Sequence, residues 1–256
     1  MIEETSNKIV LIDSHAHLNE FEDITTILNE AKQSGVIGIV AVGMDINSNK
    51  KTLQIARENP KLVYPALGYH PWEIKENEIE ENLSWIKDHI GEAIALGEIG
   101  IDYKIKVKKE VQFKVFNELL EIANAFDKPV IIHCRFSHQK AFEMVKEKGL
   151  KRGLFHWFSG PINILDKILE SGYFISATPA LAYSPPHQEA IKKAPLERIL
   201  LETDSPVSYQ GKESSPKDVL ITLLHVSRLK GLEPLFVSKE TTLNASEFFQ
   251  IDFLQK

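Results

Sequence analysis

Apolar positions along this chain fall into two alternating patterns. Short runs rich in Val, Ile, Leu and Ala, bounded by Gly, Pro or polar residues, predict buried strands at residues 9–12, 36–42, 62–67, 93–96, 129–132, 153–155, 173–177 and 198–201. Between them, apolar residues three and four apart predict helices at 23–34, 47–58, 76–90, 107–126, 137–148 and 163–171. A short helix is expected after the Ser184-Pro185-Pro186 break, and two more at 216–230 and 234–249. Gly35, Asn59-Pro60 and Gly149 stand where helices should stop.

The residues marking the strand ends are His15, Gly43, His70, Glu98, His133, His156, Ala177 and Asp204, at intervals of 21 to 35 residues. One βα unit of roughly 30 residues fits each interval. No linker or low-complexity tract marks a boundary. Residues 1–256 are therefore expected to form one α/β domain, a (β/α)8 TIM barrel with an extra C-terminal helix, with a doubly wound open sheet as the alternative.

Composition narrows the function without choosing it. Apolar residues make up 43% and charged residues 26%, enough for a barrel core. The net charge of −6 gives no global attraction to nucleic acid, so a polyanion would need a local basic patch or metal ions. The single cysteine, Cys134, excludes an intramolecular disulfide and a cysteine-rich zinc site, and is expected to be a small buried filler. No apolar run approaches the roughly 20 residues of a membrane span. Met1-Ile2-Glu3-Glu4 lacks the basic and apolar regions of a signal peptide. A cytoplasmic location is expected, with neither a membrane nor an obligate protein partner.

Chemistry gathers at the strand ends. His15 and His17 flank Ala16 after the first strand, and in an extended chain residues two apart share a face. Alone the pair is weak. But Glu98, His133, His156 and Asp204 each follow a later strand, and a closed barrel brings all such ends to one face. Four imidazoles and two carboxylates suit Zn, Mn, Co, Ni or Fe better than Ca, and Mg remains compatible with phosphoryl chemistry. They are too many for one tetrahedral ion, so two divalent metal ions are expected, about 3.5–4 Å apart.

The motifs carrying these residues are Asp13-Ser14-His15-Ala16-His17-Leu18, Gly97-Glu98-Ile99-Gly100-Ile101-Asp102-Tyr103, His133-Cys134-Arg135, His156-Trp157-Phe158-Ser159-Gly160 and Leu201-Glu202-Thr203-Asp204-Ser205-Pro206. Together with Gly68-Tyr69-His70-Pro71, they resemble the TatD family of metal-dependent deoxyribonucleases, within the amidohydrolase superfamily. The resemblance runs from about residue 8 to 206. It implies one metal on His15, His17, Glu98 and Asp204, and a second on Glu98, His133 and His156, with Glu98 bridging. It further implies DNA as substrate, single-stranded or at 3′ ends, attacked by a metal-activated water that Asp204 orients or deprotonates. Glu98 is the weaker choice of base, because bridging two cations lowers its proton affinity.

The remaining positions carry less. Asp13 is expected either to accept a hydrogen bond from a ligand imidazole or to cap the strand end. His70 suits a substrate contact or loop packing, and Arg135 a phosphate or a surface salt bridge. Lys104, Lys106, Lys108 and Lys109 cluster where a helix should begin, against the helix dipole. A phosphate-contacting rim would explain them, and so would a solvated charge run. His89, His138, His187 and His225 read as surface or packing residues. After Asp204 the resemblance weakens, since Gly211-Lys212-Glu213-Ser214-Ser215-Pro216 carries Ser214 where the family usually has Asn. The alternative function is a binuclear hydrolase of another ester, an amide or a small phosphodiester, such as an aminoacyl-tRNA ester. A non-enzymatic metal-binding protein is disfavoured by the intact set of six candidate ligands.

Overall fold

The computed structural model describes residues 8–255. Met1-Ile2-Glu3-Glu4, on which the expectation of no signal peptide rests, lies outside the described residues. Eight parallel strands run in sequence order around one sheet: β1 (Leu11–Ala16), β2 (Val36–Val42), β3 (Val63–Leu67), β4 (Ala95–Asp102), β5 (Val130–Arg135), β6 (Gly153–Phe155), β7 (Phe174–Ala177) and β8 (Ile199–Leu201). The ends of the sheet meet. Ala16 bridges Ser205 in parallel, the His17 amide donates to the Ser205 carbonyl at 2.7 Å, and the Asp204 amide donates to the His15 carbonyl at 2.9 Å. The fold is the expected TIM barrel, and the open doubly wound sheet is set aside.

Helices α1 (Ile24–Gln33), α2 (Ile46–Glu58), α3 (Ile79–His89), α4 (Lys109–Ala125), α5 (His138–Glu147), α6 (Ile162–Glu170), α7 (Pro185–Lys193) and α8 (Val219–Lys230) follow the eight strands in turn. The larger apolar cluster joins strand residues such as Leu11, Ile39, Ile132 and Ile199 to the helices. A second cluster takes Ile12, Val40 with Val42, Ala66, Ala95, Ile131, Leu154, Phe174 and Leu200, drawn from all eight strands, and these form the inward-facing layer. Ala245, Phe248 and Phe249 of the extra helix α9 (Pro234–Phe249), with Phe253 beyond it, join this layer as a plug. Among the described residues no helix is long and apolar enough to cross a membrane.

Several boundaries differ from expectation in ways that matter. β5 runs to Arg135 and takes in His133, and β1 runs to Ala16 and β4 to Asp102, so Asp13, His15 and Glu98 also lie inside strands rather than after them. β1 and β4 carry a register irregularity at these positions, between Asp13 and Ala16 and between Leu96 and Ile99. The glycines around Glu98 look like a strand end but serve close approach. A Cβ on Gly68 would sit 2.3 Å from the Glu98 amide nitrogen, and one on Gly97 2.5 Å from Ile131 Cβ. α4 begins at Lys109, two residues late, because buried Gln112 ties down the preceding loop. Its side chain accepts from the Asp102 amide at 2.8 Å and donates to the Asp102 and Val107 carbonyls at 2.9 and 2.8 Å. An unexpected two-stranded hairpin, β9 (Ser208–Tyr209) with β10 (Lys212–Glu213), follows β8.

Candidate metal centre

Alternation builds much of the site. Two residues beyond the inward-facing Ile131, Leu154 and Leu200 come His133, His156 and Glu202. The same face therefore changes from apolar to ionisable at one level of the barrel. The irregularities in β1 and β4 add His15 and Glu98. Beyond the strands, His17 adopts φ −87°, ψ 67° and Asp204 the left-handed φ of 51°, a conformation uncommon for a side chain with a Cβ.

Glu98 is the centre, and its two oxygens face different sets. Oε2 lies 3.3 Å from His15 Nε2 and 3.4 Å from His17 Nε2. Asp204 Oδ1 lies 3.4 Å from each of the same two nitrogens, which are 3.2 Å apart. Four ligands around one ion at ~2.0–2.1 Å in tetrahedral array would be ~3.3–3.4 Å apart. These five distances match that edge. Oε1 lies 2.7 Å from His156 Nε2 and 2.8 Å from His133 Nδ1, with those two nitrogens 3.5 Å apart.

His70 Nε2 also faces Oε1, at 3.4 Å, and the ring is buried. Its Nδ1 accepts the Trp72 amide at 3.1 Å. The tautomer assigned from that bond places the proton on Nε2, where His70 can donate to Glu98, although His70, Glu98 and His133 also form a cluster that could hold an ion. Burial, reinforced by neighbouring imidazoles, pushes its pKa down to about 4 despite the Glu98 charge, so it stays neutral.

Outer contacts divide the imidazoles. His156 Nδ1 lies 3.3 Å from Glu202 Oε1, which also accepts the Trp157 amide at 3.1 Å. His133 Nε2 lies 3.4 Å from Asp102 Oδ2, which accepts the Trp72 indole N–H at 2.7 Å. Nδ1 of His15 and of His17 is buried without a hydrogen-bond partner among the described residues. Asp13 serves neither ring. It accepts from Thr203 Oγ1 at 2.6 Å, the Thr203 amide at 2.9 Å and the His15 amide at 3.4 Å. Neither the imidazole partner nor the strand-end cap is what the structure shows, since Asp13 lies inside β1 and ties that strand to the segment after β8.

The charges follow from crowding. Burial opposes a charge on His17, but the Asp204 and Glu98 carboxylates outweigh it and push the imidazole up to about 10. His156 is raised well above its ordinary value, against burial, by Glu98 and Glu202. His133 is raised, also against burial, by Asp102 and Glu98. Glu98 and Asp204 are correspondingly lowered despite burial. Such a nest could hold cations, with protons and divalent metals competing for the same lone pairs.

The family model described as TatD related DNase matches residues 12–250, which takes in all of these residues. The chain belongs to the TatD family. It is 31% identical to an uncharacterized metal-dependent hydrolase of Haemophilus influenzae, over 94% of this chain and 100% of that protein. It is 28% identical to the human deoxyribonuclease TATDN3, over 93% of this chain and 94% of that one. Among solved structures, the TatD homologue YJJV of Escherichia coli superposes with a TM-score of 0.85 at 26% identity, covering 94% of this chain and 98% of that one. This TatD protein is thus a metal-dependent hydrolase by family, with a hydrolase site whose side chains have the types and spacing to hold metal.

Three TatD residues have structural partners that the sequence does not announce: Glu202, Gln112 and Asp102, the last expected only to shape the loop after Glu98, where it accepts the Lys104 amide at 2.7 Å. The alternation Leu200–Glu202 was the available signal for the first. The other two act through non-local contacts that no local pattern announces. Arg135 is exposed and has no carboxylate partner among the described residues. Lys104, Lys106, Lys108 and Lys109 are exposed as well, with Lys104 and Lys109 lying over the rings of Phe136 and Tyr103. Cys134 is half-buried, with its thiol pushed up by burial. His187 is fully buried, bonded to the Phe158 carbonyl at 2.7 Å and the Thr178 amide at 3.1 Å. Ser214 donates to the Val207 carbonyl at 2.8 Å, so the serine at this departure from the family pattern is used within the hairpin.

Proposed function

We propose that this TatD protein is a deoxyribonuclease that hydrolyses phosphodiester bonds of single strands or 3′ ends with two divalent cations. His15, His17, Glu98 and Asp204 hold one cation, and Glu98, His133 and His156 the other. The observation that carries this reading is the splitting of Glu98, whose Oε2 faces His15 and His17 while Oε1 faces His133 and His156, with His70 beside them. When bound, the cations neutralise charge on the phosphoryl oxygens and make water acidic enough to ionise near neutral pH.

The chain's own residues supply the rest. Asp204 has its carboxylate beside both His15 and His17 and takes the proton of the attacking water. Glu98 is less suited to that role, because five imidazoles surround it and its pKa is held well below the carboxylate range, while Asp204 is lowered with fewer imidazoles in contact. His70 donates from Nε2 to Glu98 and keeps the bridging carboxylate in one orientation. Asp102 and Glu202 orient the His133 and His156 rings. Lys104, Lys106 and Lys108 form a phosphate rim, offsetting locally the net charge of −6.

The test is cleavage of an end-labelled single strand by the metal-reconstituted protein and by Glu98→Gln. The expected loss is about 10³-fold or more, since several kcal/mol of transition-state stabilisation depends on the bridge. Full activity in the variant would sink the mechanism. Turnover of a lactone or aminoacyl ester panel in preference to DNA would favour the second reading, a binuclear hydrolase of another ester.

A further inference from the structure

Two large aromatic side chains stand uncovered beside the site. Trp72, in the turn after β3, is 52% exposed, and Phe136, in the loop after β5, is 66% exposed. Neither placement is favoured by folding. An exposed ring contributes little burial, and Phe136 also adopts a left-handed backbone, φ 58°, which bulky residues seldom enter. Glycine or asparagine would suit that position better.

The rings are arranged as well as exposed. The Trp72 indole is held by its bond to Asp102 and meets the His70 ring edge-on, with centroids 4.9 Å apart at 90°. Its centroid is 5.9 Å from that of His133. The indole is thus held next to His70 and His133, two of the three imidazoles on Glu98 Oε1. Lys104 Nζ lies 4.7 Å from the centre of the Phe136 ring, which sets a cation and an aromatic face side by side. This pairing suits one ligand chemistry in particular, a flat base attached to a phosphate. Unpaired bases present π-faces that a duplex keeps within its own stack, and stacking on aromatic side chains tolerates any sequence. A chain with net charge −6 also gains little from long-range attraction to a polyanion, so short-range stacking is the stronger source of affinity.

We propose that Trp72 and Phe136 are stacking platforms for unpaired nucleobases, with Lys104 contacting the adjoining phosphate. The substrate is then selected by its bases as well as by its phosphodiester. The proposal rests on the nuclease reading, but binding tests it separately from turnover.

The measurement is fluorescence anisotropy of a labelled oligothymidylate and of an abasic strand of equal length and charge. It uses the full chain, first stripped of divalent ions so that nothing is cut, then reloaded with Mn²⁺ to follow cleavage. The wild type is expected to bind the base-bearing strand ~10-fold or more tighter than the abasic one. Phe136→Ala should lose ~10-fold in affinity for the base-bearing strand and little for the abasic one, while Phe136→Trp keeps the preference. Equal binding of the two strands by the wild type, or an unchanged preference in Phe136→Ala, overturns the proposal. Preference for bases without cleavage would contradict the nuclease reading and support the platforms. Cleavage without preference would contradict the platforms alone.

Discussion

The two halves of the site are held in different ways. On the β1 side, His15, His17 and Asp204 are fixed through the main chain, by the hydrogen bonds that close the barrel and by the Asp13–Thr203 tie. The two rings on this side have no outer partner at Nδ1 among the described residues. On the β5 and β6 side, His133 lies within β5 and His156 in the turn directly after β6, and each ring faces a carboxylate, Asp102 or Glu202. One half takes its precision from strand closure, the other from side-chain contacts. Damage to the closure should therefore cost folding and one cation together. Damage to an outer carboxylate should cost one cation and leave the fold.

The largest effect after Glu98 itself is expected at Asp13. Asp13→Ala removes bonds at 2.6 and 2.9 Å and leaves buried Thr203 donors unpaired. About 2–4 kcal/mol of stability should be lost, read by denaturant unfolding, with weakened binding at the β1 half. If stability held and the Glu98–His133–His156 cation were lost instead, the comparison would be wrong.

Asp102→Asn and Glu202→Gln come next. Each should weaken one of the two cations about 10- to 100-fold by calorimetric titration, with little change in melting temperature and the other cation retained. Equal weakening of both cations would mean that the halves are not separately built.

A smaller effect concerns pH. His17 is raised from 6.5 to about 10, so in the metal-free protein its contribution is complete below about 6.5 and is lost as pH rises toward 10. Glu98 and Asp204 are lowered, so theirs is complete above the ordinary carboxylate range and is lost as pH falls through their depressed values. Metal-free stability should thus peak between those limits, near pH 5–6, and decline on the alkaline side. Metal uptake must displace the proton on His17, so affinity should rise with pH and binding should release protons. A metal-free melting temperature that climbs from pH 6.5 to 10 would contradict the assignment of His17.

The smallest effect is expected at the rim, away from both halves. Lys106→Gln with Lys108→Gln should raise KM for DNA and flatten its salt dependence by roughly one contact per lysine. Unchanged KM at two salt concentrations would leave the lysines as a solvated run.

The barrel is legible in the sequence because each βα unit announces itself locally, with apolar runs, glycine stops and a regular spacing of strand ends. Val36–Val42 and Gly153–Phe155 match their expected bounds to the residue. β1 and β4 extend past theirs, because Asp13-Ser14-His15 and Gly97-Glu98 look like the ends of buried strands when they are continuations of them. In both places polar residues inside a strand are tolerated only because they meet partners from across the barrel. The same limit hid Asp102 beneath Trp72 and Gln112 beneath the β4 loop. Their roles depend on contacts 10 to 30 residues away. The hairpin after β8 has two-residue strands, too short for any pattern to register.

The central claim is that Glu98 joins two cation sites of different construction. Anomalous diffraction from crystals of the Mn²⁺-loaded protein tests it most directly. The account predicts two peaks about 3.5–4 Å apart. One should lie within coordination distance of His15, His17, Glu98 and Asp204, the other of Glu98, His133 and His156. A single peak at saturating metal, or two peaks of which either lies outside contact with Glu98, would contradict it.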